Sequence, residues 1–306
     1  MTADDRSHPV EVYLPGLTDR RVRIFRAEHE VDTSVLVTER YVVLVDTMAT
    51  PELAEGIVES VRPELVGRQF LVINTHADYD HAWGNALFAA PDGRYPAHII
   101  GRQGVYDRLR SDEDLQSLRR RQAAETRFAS VRLVPPTITF TDGLRIDGGD
   151  LTISLIPTPG HTDDHVSVWI PELRLVLAGD AAERPIPYVN RPTDLPRLRD
   201  SIRRLAALDP AMVIPCHGGT TDPALLSANL MYLDKVEASA RAAIAGGGLP
   251  PDWTVRDDLP AIIAMPYDAV APPGEDTLDA VDSAFYQQSH LRAVRATLIN
   301  LFAALA

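Results

Sequence analysis

The stretch of sequence that decides the fold is His76-Ala77-Asp78-Tyr79-Asp80-His81, which places four possible metal ligands within six residues. It directly follows the short apolar run 69–74, which the pattern predicts to be a buried strand. Imidazole nitrogens and carboxylate oxygens are the usual protein ligands of zinc, iron and manganese. Because a tight loop that leaves a strand can turn several side chains toward one point, we predict a loop here rather than a helix.

Three further residues of the same chemical type each follow a strand-like apolar run. His161 comes after the run 153–160, Asp180 after 175–179 and His217 after 212–216. Taken singly, a histidine after a strand is usually a capped or partly exposed imidazole, and an aspartate after glycine is usually a turn former. Strands that end on one edge of a packed sandwich would bring such side chains together. The joint pattern therefore predicts one metal centre.

The alternation of strand-like and helix-like stretches predicts the fold class. Short β-branched or apolar runs indicate strands at 22–25, 33–38, 41–46, 69–74, 137–140, 144–146, 151–156, 166–170, 173–178 and 212–215. Helical spacing occurs at 51–61, 195–208, 223–245 and 277–304. Two successive halves that each run strands, helix and strand indicate an α/β (α+β) fold, a four-layer αββα sandwich of two sheets with helices outside.

The same pattern predicts how the chain is organised. We expect one catalytic domain over residues 1–250, followed by a C-terminal linker and helix over 251–306 that pack on it. Residues 102–131 are rich in Arg, Gln, Glu, Leu and Ala and are predicted to be a helical excursion. That excursion is either a lid or a solvated amphipathic helix, and the sequence leaves both open.

Composition excludes several classes of function. A net charge of −13, from 43 acidic and 30 basic residues, argues against a positively charged surface that would bind nucleic acid or an anionic membrane. Cys216 is the single cysteine, which excludes an intrachain disulfide and a cysteine-rich zinc site. With no leader-like start and no run of 18 apolar residues, we expect a soluble, cytoplasmic protein. The expected partner is a small-molecule substrate, and the chain is either a monomer or a homodimer.

The order of these motifs resembles the metallo-β-lactamase fold superfamily, whose signature is a His-x-His-x-Asp-His motif after a strand. The resemblance runs from about residue 31 to residue 218 and implies an αββα sandwich of the metallo-β-lactamase type. It begins at Asp46, at the position of an aspartate that usually supports the metal loop without binding metal. Four motifs follow in order: residues 76–81, Pro159-Gly160-His161-Thr162, Ala178-Gly179-Asp180 and His217-Gly218.

One departure from the family pattern concerns the metal. The second histidine of the signature is Asp78 in this chain. The resemblance implies that one metal ion is bound by His76, Asp78 and His161, the other by Asp80, His81 and His217, and that Asp180 bridges them. Zinc is the most common metal of the fold, but three carboxylates make a harder ligand set that favours iron or manganese. The alternative is that Asp78 has turned away from the metal to accept a hydrogen bond from a backbone amide.

Two divalent cations about 3.5–4 Å apart can activate a bridging water and polarise a substrate oxygen. We therefore predict a metal-dependent hydrolase that acts on an ester, lactone, thioester or related bond, with Asp80 as a metal ligand or as the catalytic proton acceptor. A di-iron oxidoreductase or oxygenase of the same fold is the alternative, and a metal-bearing but inactive binding protein is a third. His165 and Tyr79 could line the pocket, although a surface turn and ordinary packing would also explain them.

Overall fold

The computed structural model describes residues 8–28, 30–89, 93–271 and 282–304. The chain divides into two compact units, one made of Met1–Pro157 with Asp164–Leu173 and one made of Thr158–Asp163 with Arg174–Ala306. The short segment Thr158–Asp163 thus belongs to the second unit although both of its flanks belong to the first. As a consequence, His161 and His165 lie in different units.

A seven-stranded mixed sheet forms the centre of the first unit, with its strands in sequence order. Its strands are β1 (Val10–Val12), β2 (Val22–Ala27), β3 (Val31–Val37), β4 (Tyr41–Val45), β5 (Gln69–Ile73), β6 (His98–Arg102) and β7 (Ile138–Phe140). Strands β1 to β4 are antiparallel, and β4 to β7 are parallel. Because the carboxyl ends of parallel strands share one edge, the segments after β4, β5 and β6 begin at the same edge.

The helices of this unit begin where the sequence supplies caps. Helix α1 (Pro51–Ser60) has proline in its first turn, and the Leu53 amide donates to Thr50 Oγ1 at 3.3 Å. Helix α2 (Tyr79–Ala82) is only one turn long, α3 (Gln103–Arg108) follows β6, and α4 (Asp112–Ala124) is capped by Ser111. Helices α3 and α4 lie within the stretch whose composition predicts a helical excursion.

A second, antiparallel group of strands completes the first unit. It consists of β8 (Leu144–Asp147), β9 (Thr152–Pro157) and β10 (Val166–Ile170). At the start of β10, the Val166 amide donates to the Thr75 carbonyl oxygen at 2.9 Å. This bond ties β10 to the segment that carries the histidine-rich motif, so the position of the motif depends on strands from both groups.

The second unit combines two parallel strands with helices. The strands are β11 (Leu175–Gly179) and β12 (Met212–Pro215). The helices are α5 (Leu195–Ala206), α6 (Ala224–Ala245), α7 (Leu259–Ile262) and α8 (Ser283–Ala303). On α5, Leu198, Ile202 and Leu205 are fully buried at the spacing of one helix face. The predicted start of the last helix, residues 277–281, lies outside the described residues.

Two predictions about local structure are wrong. The motif segment is not a loop throughout, because Asp80 and His81 lie in the one-turn helix α2, which begins at Tyr79. Strands β1 and β6 are also missing from the prediction, and β6 was missed because its glycine and terminal arginine interrupt a very short apolar run. In the part of the chain that the structure describes, no helix is both long and apolar enough to cross a membrane.

Candidate active site

The predicted ligands fall into two clusters, one in each unit. The motif cluster contains His76, Asp78, Asp80 and His81, which follow β5 in the first unit. The Asp180 cluster contains His161, Asp180 and His217 in the second unit. All of these residues except Asp78 and His217 are buried.

Hydrogen bonds to Asp46 and Thr75 determine how the two histidines of the motif cluster present their rings. His81 Nδ1 lies 2.8 Å from Asp46 Oδ2, and a carboxylate can only accept, so this nitrogen carries the proton. Thr75 donates its hydroxyl to Asp46 Oδ2 at 2.7 Å, so its oxygen accepts from His76 Nδ1 at 2.9 Å. Both rings therefore have their proton on Nδ1, and Nε2 is the nitrogen that can bind a metal ion.

The carboxylates of the motif cluster face these same Nε2 atoms. His76 Nε2 lies 3.6 Å from Asp78 Oδ2, and His81 Nε2 lies 3.6 Å from Asp80 Oδ2. These distances are too long for hydrogen bonds. They are close to the spacing of about 3.4 Å between neighbouring ligands of a tetrahedral ion with bonds of about 2.1 Å.

Asp78 also forms an ion pair that the sequence did not reveal. Its Oδ1 accepts from Arg108 Nη2 at 2.6 Å, and Arg108 Nη1 donates to Asp164 Oδ1 at 3.1 Å. Asp164 Oδ2 in turn accepts from the Ala77 amide at 2.9 Å. Burial acts to lower the pKa of Arg108, but the charges of Asp78 and Asp164 raise it well above its usual range. Asp78 Oδ1 thus accepts from a guanidinium group, while Asp78 Oδ2 is the oxygen that faces His76 Nε2.

A glycine allows this ion pair to form. A Cβ atom at Gly104 would lie 2.8 Å from Asp164 Cβ, so a side chain at this position would push α3 away from Asp164. Arg108 is the last residue of α3. The close approach at Gly104 therefore sets the reach of the Arg108 side chain toward Asp78.

The two residues predicted to line the pocket both lie beside the motif cluster. His165 is fully buried, and its ring centroid is 5.1 Å from that of His76. Tyr79 packs edge-on against Trp83 and Phe128, with ring centroids at 5.9 and 6.2 Å, and the Arg121 guanidinium lies 3.5 Å from its ring centroid. Burial and the nearby charge of Asp80 raise the pKa of Tyr79, so its hydroxyl stays protonated. The full burial of His165 shows that it does not lie in a surface turn.

In the Asp180 cluster, two histidines converge on one carboxylate oxygen. Asp180 Oδ2 lies 3.4 Å from His161 Nε2 and 3.5 Å from His217 Nε2. Asp180 directly follows β11, and His217 is the second residue after β12, so the parallel pairing of these strands brings the two together. Gly160 adopts φ +145°, and a Cβ there would lie 2.3 Å from Leu198 Cα, so glycine lets the His161 segment pack against α5.

Glu183 is a further member of this region that the sequence prediction missed. It is 1% exposed, and its Oε1 lies 3.8 Å from His161 Nδ1 while its Oε2 accepts from the Tyr286 hydroxyl at 2.7 Å. Burial, followed by the charge of Asp180, raises the pKa of the Glu183 carboxyl. The one available signal is a lone acidic residue three positions after Asp180 in an apolar stretch, which does not show by itself what it contacts.

Both clusters fit a divalent cation. Each pairs imidazole Nε2 atoms with carboxylate oxygens at 3.4–3.6 Å, and in the motif cluster both Nδ1 atoms are oriented by oxygen acceptors. Histidine ligands in metalloproteins characteristically have such acceptors at their second nitrogen. The mixed nitrogen and oxygen donor set suits zinc, iron or manganese.

Comparisons with known proteins identify the family of the chain. The family model of the metallo-beta-lactamase superfamily matches residues 28–217. The chain is 24% identical over 235 residues to a hydroxyacylglutathione hydrolase of Rhodospirillum rubrum, which covers 70% of this chain and 80% of that protein. It is also 24% identical over 228 residues to a metallo-beta-lactamase fold-containing protein of Sulfurisphaera tokodaii, covering 69% and 82%.

Solved structures show the same fold. A metallo-beta-lactamase family protein of Thermus thermophilus has a TM-score of 0.62 at 18% identity and covers 97% of this chain and 94% of its own. A metallo-beta-lactamase from Pontibacter korlensis has a TM-score of 0.56 at 18% identity, covering 73% and 98%. These matches confirm the predicted fold class.

Proposed function

Because the chain belongs to the metallo-β-lactamase superfamily, we propose that it is a metal-dependent hydrolase that cleaves an ester or thioester bond. The observation that carries this proposal is the Asp180 cluster, where one carboxylate oxygen lies 3.4 and 3.5 Å from two imidazole nitrogens. A carboxylate oxygen and two imidazole Nε2 atoms at this spacing match the donor set of a bound divalent cation.

We assign two divalent ions to the seven ligand-type side chains of the two clusters. The ligands proposed are His76, Asp78, Asp80, His81, His161, Asp180 and His217. When bound, the ions supply Lewis acidity and lower the pKa of a coordinated water. The order of the motifs within the matched region 28–217 supports this assignment.

The chain's own residues have separable roles in the proposed reaction. Asp46 accepts a hydrogen bond from His81 Nδ1 and so leaves Nε2 as the nitrogen that would bind an ion, and Thr75 does the same for His76. Glu183 lies beside His161 Nδ1 and is held by Tyr286. Asp80, which is 8% exposed, is the carboxylate that we propose takes the proton from the attacking water.

The choice of bond rests on a relative. The name of the similar Rhodospirillum rubrum protein denotes hydrolysis of an acyl group carried on glutathione, which is chemically a thioester. Esters and thioesters both react by attack at an acyl carbon and loss of the sulfur or oxygen leaving group, so the proposed roles of the residues are the same for both.

The ion pair at Asp78 bears on the metal. The expectation of iron or manganese depends on a third carboxylate that adds negative charge to the ligand set. Arg108 compensates that charge at 2.6 Å, so the net charge of the set is closer to that of a set with a neutral histidine at position 78. We therefore propose zinc, and we do not propose oxygen chemistry for this chain.

Metal analysis combined with an esterase and thioesterase assay tests the proposal. We expect about two zinc ions per chain in protein purified without added metal, together with hydrolysis of 4-nitrophenyl butyrate or S-acetylglutathione that a chelator abolishes. His217→Asn should lose metal and activity, whereas His98→Asn, at an exposed histidine on β6, should keep both. Stoichiometric iron, with oxygen consumed in the presence of a reductant and neither substrate cleaved, would overturn the proposal.

A further inference from the structure

A cavity of about 380 Å³ lies within the second unit and has no role in the function proposed above. Its wall is formed by the segment 184–186, the loop 220–222, one face of α6 and residues 269–270. Its volume is within the range of about 300–1,000 Å³ that is usual for small-molecule sites. The cavity is therefore large enough for an organic ligand rather than only for water.

The charged residues of the wall favour an anion. Arg184 and Lys235 line the cavity, and among the described residues neither side chain has a hydrogen-bond or ion-pair partner. Asp222 also lines it, but its Oδ1 already accepts from the Ala224 amide at 2.9 Å. Two cations and one carboxylate leave one excess positive charge, in a chain whose net charge is −13. This local charge matches a ligand with a single negative charge.

The remaining wall is largely apolar. Ile186, Leu225 and Val270 line it, and the first two are buried at 1% and 5% exposure. An inorganic anion would leave this surface in contact with water, whereas a carboxylate with a short hydrocarbon body would cover it. The lining thus indicates an organic carboxylate.

Two consecutive residues, Glu183 and Arg184, link the Asp180 cluster to the wall of the cavity along the backbone. Glu183 lies beside His161, and the next residue, Arg184, lines the cavity while its amide donates to the His217 carbonyl oxygen at 3.3 Å. A Cβ at Gly218 would lie 2.4 Å from Arg184 Cβ, so the packing of the two segments depends on glycine. A ligand in the cavity therefore lies next to the backbone that carries a proposed metal ligand.

From these observations we propose that the cavity binds the acyl part of the substrate, and that this acyl group ends in a carboxylate. Arg184 and Lys235 bind the carboxylate, and the apolar wall contacts the hydrocarbon chain. The identification of the ligand as substrate rests on the proposed hydrolase function, whereas the binding of a carboxylate by the cavity does not.

Calorimetric titration of the full chain with hexanoate, and with uncharged hexanamide as the matched probe, tests binding alone. We expect hexanoate to bind at least about tenfold more tightly than hexanamide, as for a charge-assisted hydrogen bond. Lys235→Met should remove most of this difference, and because Lys235 is exposed, the substitution leaves the core intact. Asp222→Asn should strengthen binding, and Arg241→Met, farther along α6 and outside the cavity, should change nothing.

Binding of hexanoate to a metal ion is the competing outcome. In that case His217→Asn would abolish binding and Lys235→Met would leave it unchanged, and the cavity proposal would be overturned. Equal affinities for hexanoate and hexanamide in the wild type would overturn it as well.

Kinetics with two esters then test whether the bound group is the acyl part of a substrate. We expect mono-4-nitrophenyl glutarate to be hydrolysed with a higher kcat/KM than 4-nitrophenyl pentanoate, and Lys235→Met to lower the ratio of the two values about tenfold. An unchanged ratio would contradict the substrate role of the cavity. Hydrolysis of neither ester, with hexanoate still bound through Lys235, would count against the hydrolase function and leave the carboxylate site standing.

Discussion

Arg108 Nη2 lies 2.6 Å from Asp78 Oδ1, so the residue that departs from the family's metal-binding motif is joined to a helix 30 positions along the chain. The same guanidinium contacts Asp164, which accepts the Ala77 amide. The motif segment is therefore held at two neighbouring positions, Ala77 and Asp78, by one partly buried network of charges.

Replacement of Arg108 should change both metal binding and stability. Arg108→Met leaves Asp78 and Asp164 without their cation, and we expect a loss of about 1–3 kcal/mol of unfolding free energy and a weaker hold on zinc. Arg108→Lys should recover part of both, because it restores the charge without the two-pronged geometry. Denaturant titration and zinc competition with a chelator measure the two effects. Arg110→Met, two residues away, is the control and should leave zinc affinity as it is.

Restoration of the histidine in the motif should depend on Arg108. Asp78→His alone places an imidazole against the Arg108 guanidinium, which keeps Asp164 but loses its bond to Asp78, so we expect lower metal content than in the wild type. Asp78→His combined with Arg108→Met removes that conflict and should recover binding. Metal content of the four proteins of this double-mutant cycle gives the coupling. Additive effects would show that the two residues act independently.

Asp46→Asn should impair the histidine that it orients. Asp46 Oδ2 accepts from His81 Nδ1 and from the Thr75 hydroxyl at 2.8 and 2.7 Å, and Oδ1 accepts from the Thr75 amide at 2.7 Å. The amide of asparagine has only one acceptor oxygen, so its NH₂ group would face a donor on one of these two sides. We expect metal affinity to fall about 10- to 100-fold. Asp32→Asn, at another buried carboxylate that pairs with Arg26, should reduce stability but not metal affinity. A similar loss of metal in both variants would point to general unfolding instead.

Tyr286→Phe should lower stability through Glu183. The hydroxyl donates to Glu183 Oε2 at 2.7 Å, and its removal leaves a buried carboxylate oxygen without that donor. We expect a cost of about 1–3 kcal/mol in the free energy of unfolding. Tyr13→Phe, at a tyrosine that is 88% exposed, should cost close to nothing in the same denaturant titration.

Two glycines with positive φ provide a matched test of backbone packing. Gly160→Ala places a Cβ 2.3 Å from Leu198 Cα, so the strain of φ +145° is added to a clash with α5. Gly67→Ala has φ +79° but nothing within 4 Å, so only backbone strain of about 1–2 kcal/mol applies. We expect Gly160→Ala to be the more destabilising in thermal unfolding. Equal losses would mean that the His161 segment does not depend on its contact with α5.

Much of the fold could be predicted because its signals are local. The predicted strands at 41–46 and 166–170 match β4 and β10. A short apolar run with polar flanks is too short for a buried helix and is usually a buried strand. Strand β6 was missed because His98–Arg102 has only two strongly apolar residues, and its pairing with β5 comes from tertiary packing. Helix α2 was missed because the motif segment contains no helical period.

The sequence by itself determined which side chains are candidate ligands and in which order the family's motifs occur, because both are properties of the linear chain. Only the tertiary structure decided what supports those side chains. His81 is oriented by a residue 35 positions earlier, Asp78 by one 30 positions later, and Glu183 by one 103 positions later. Such partners meet because packed elements bring distant segments together, and no local pattern around Asp78 indicates that Arg108 will compensate its charge.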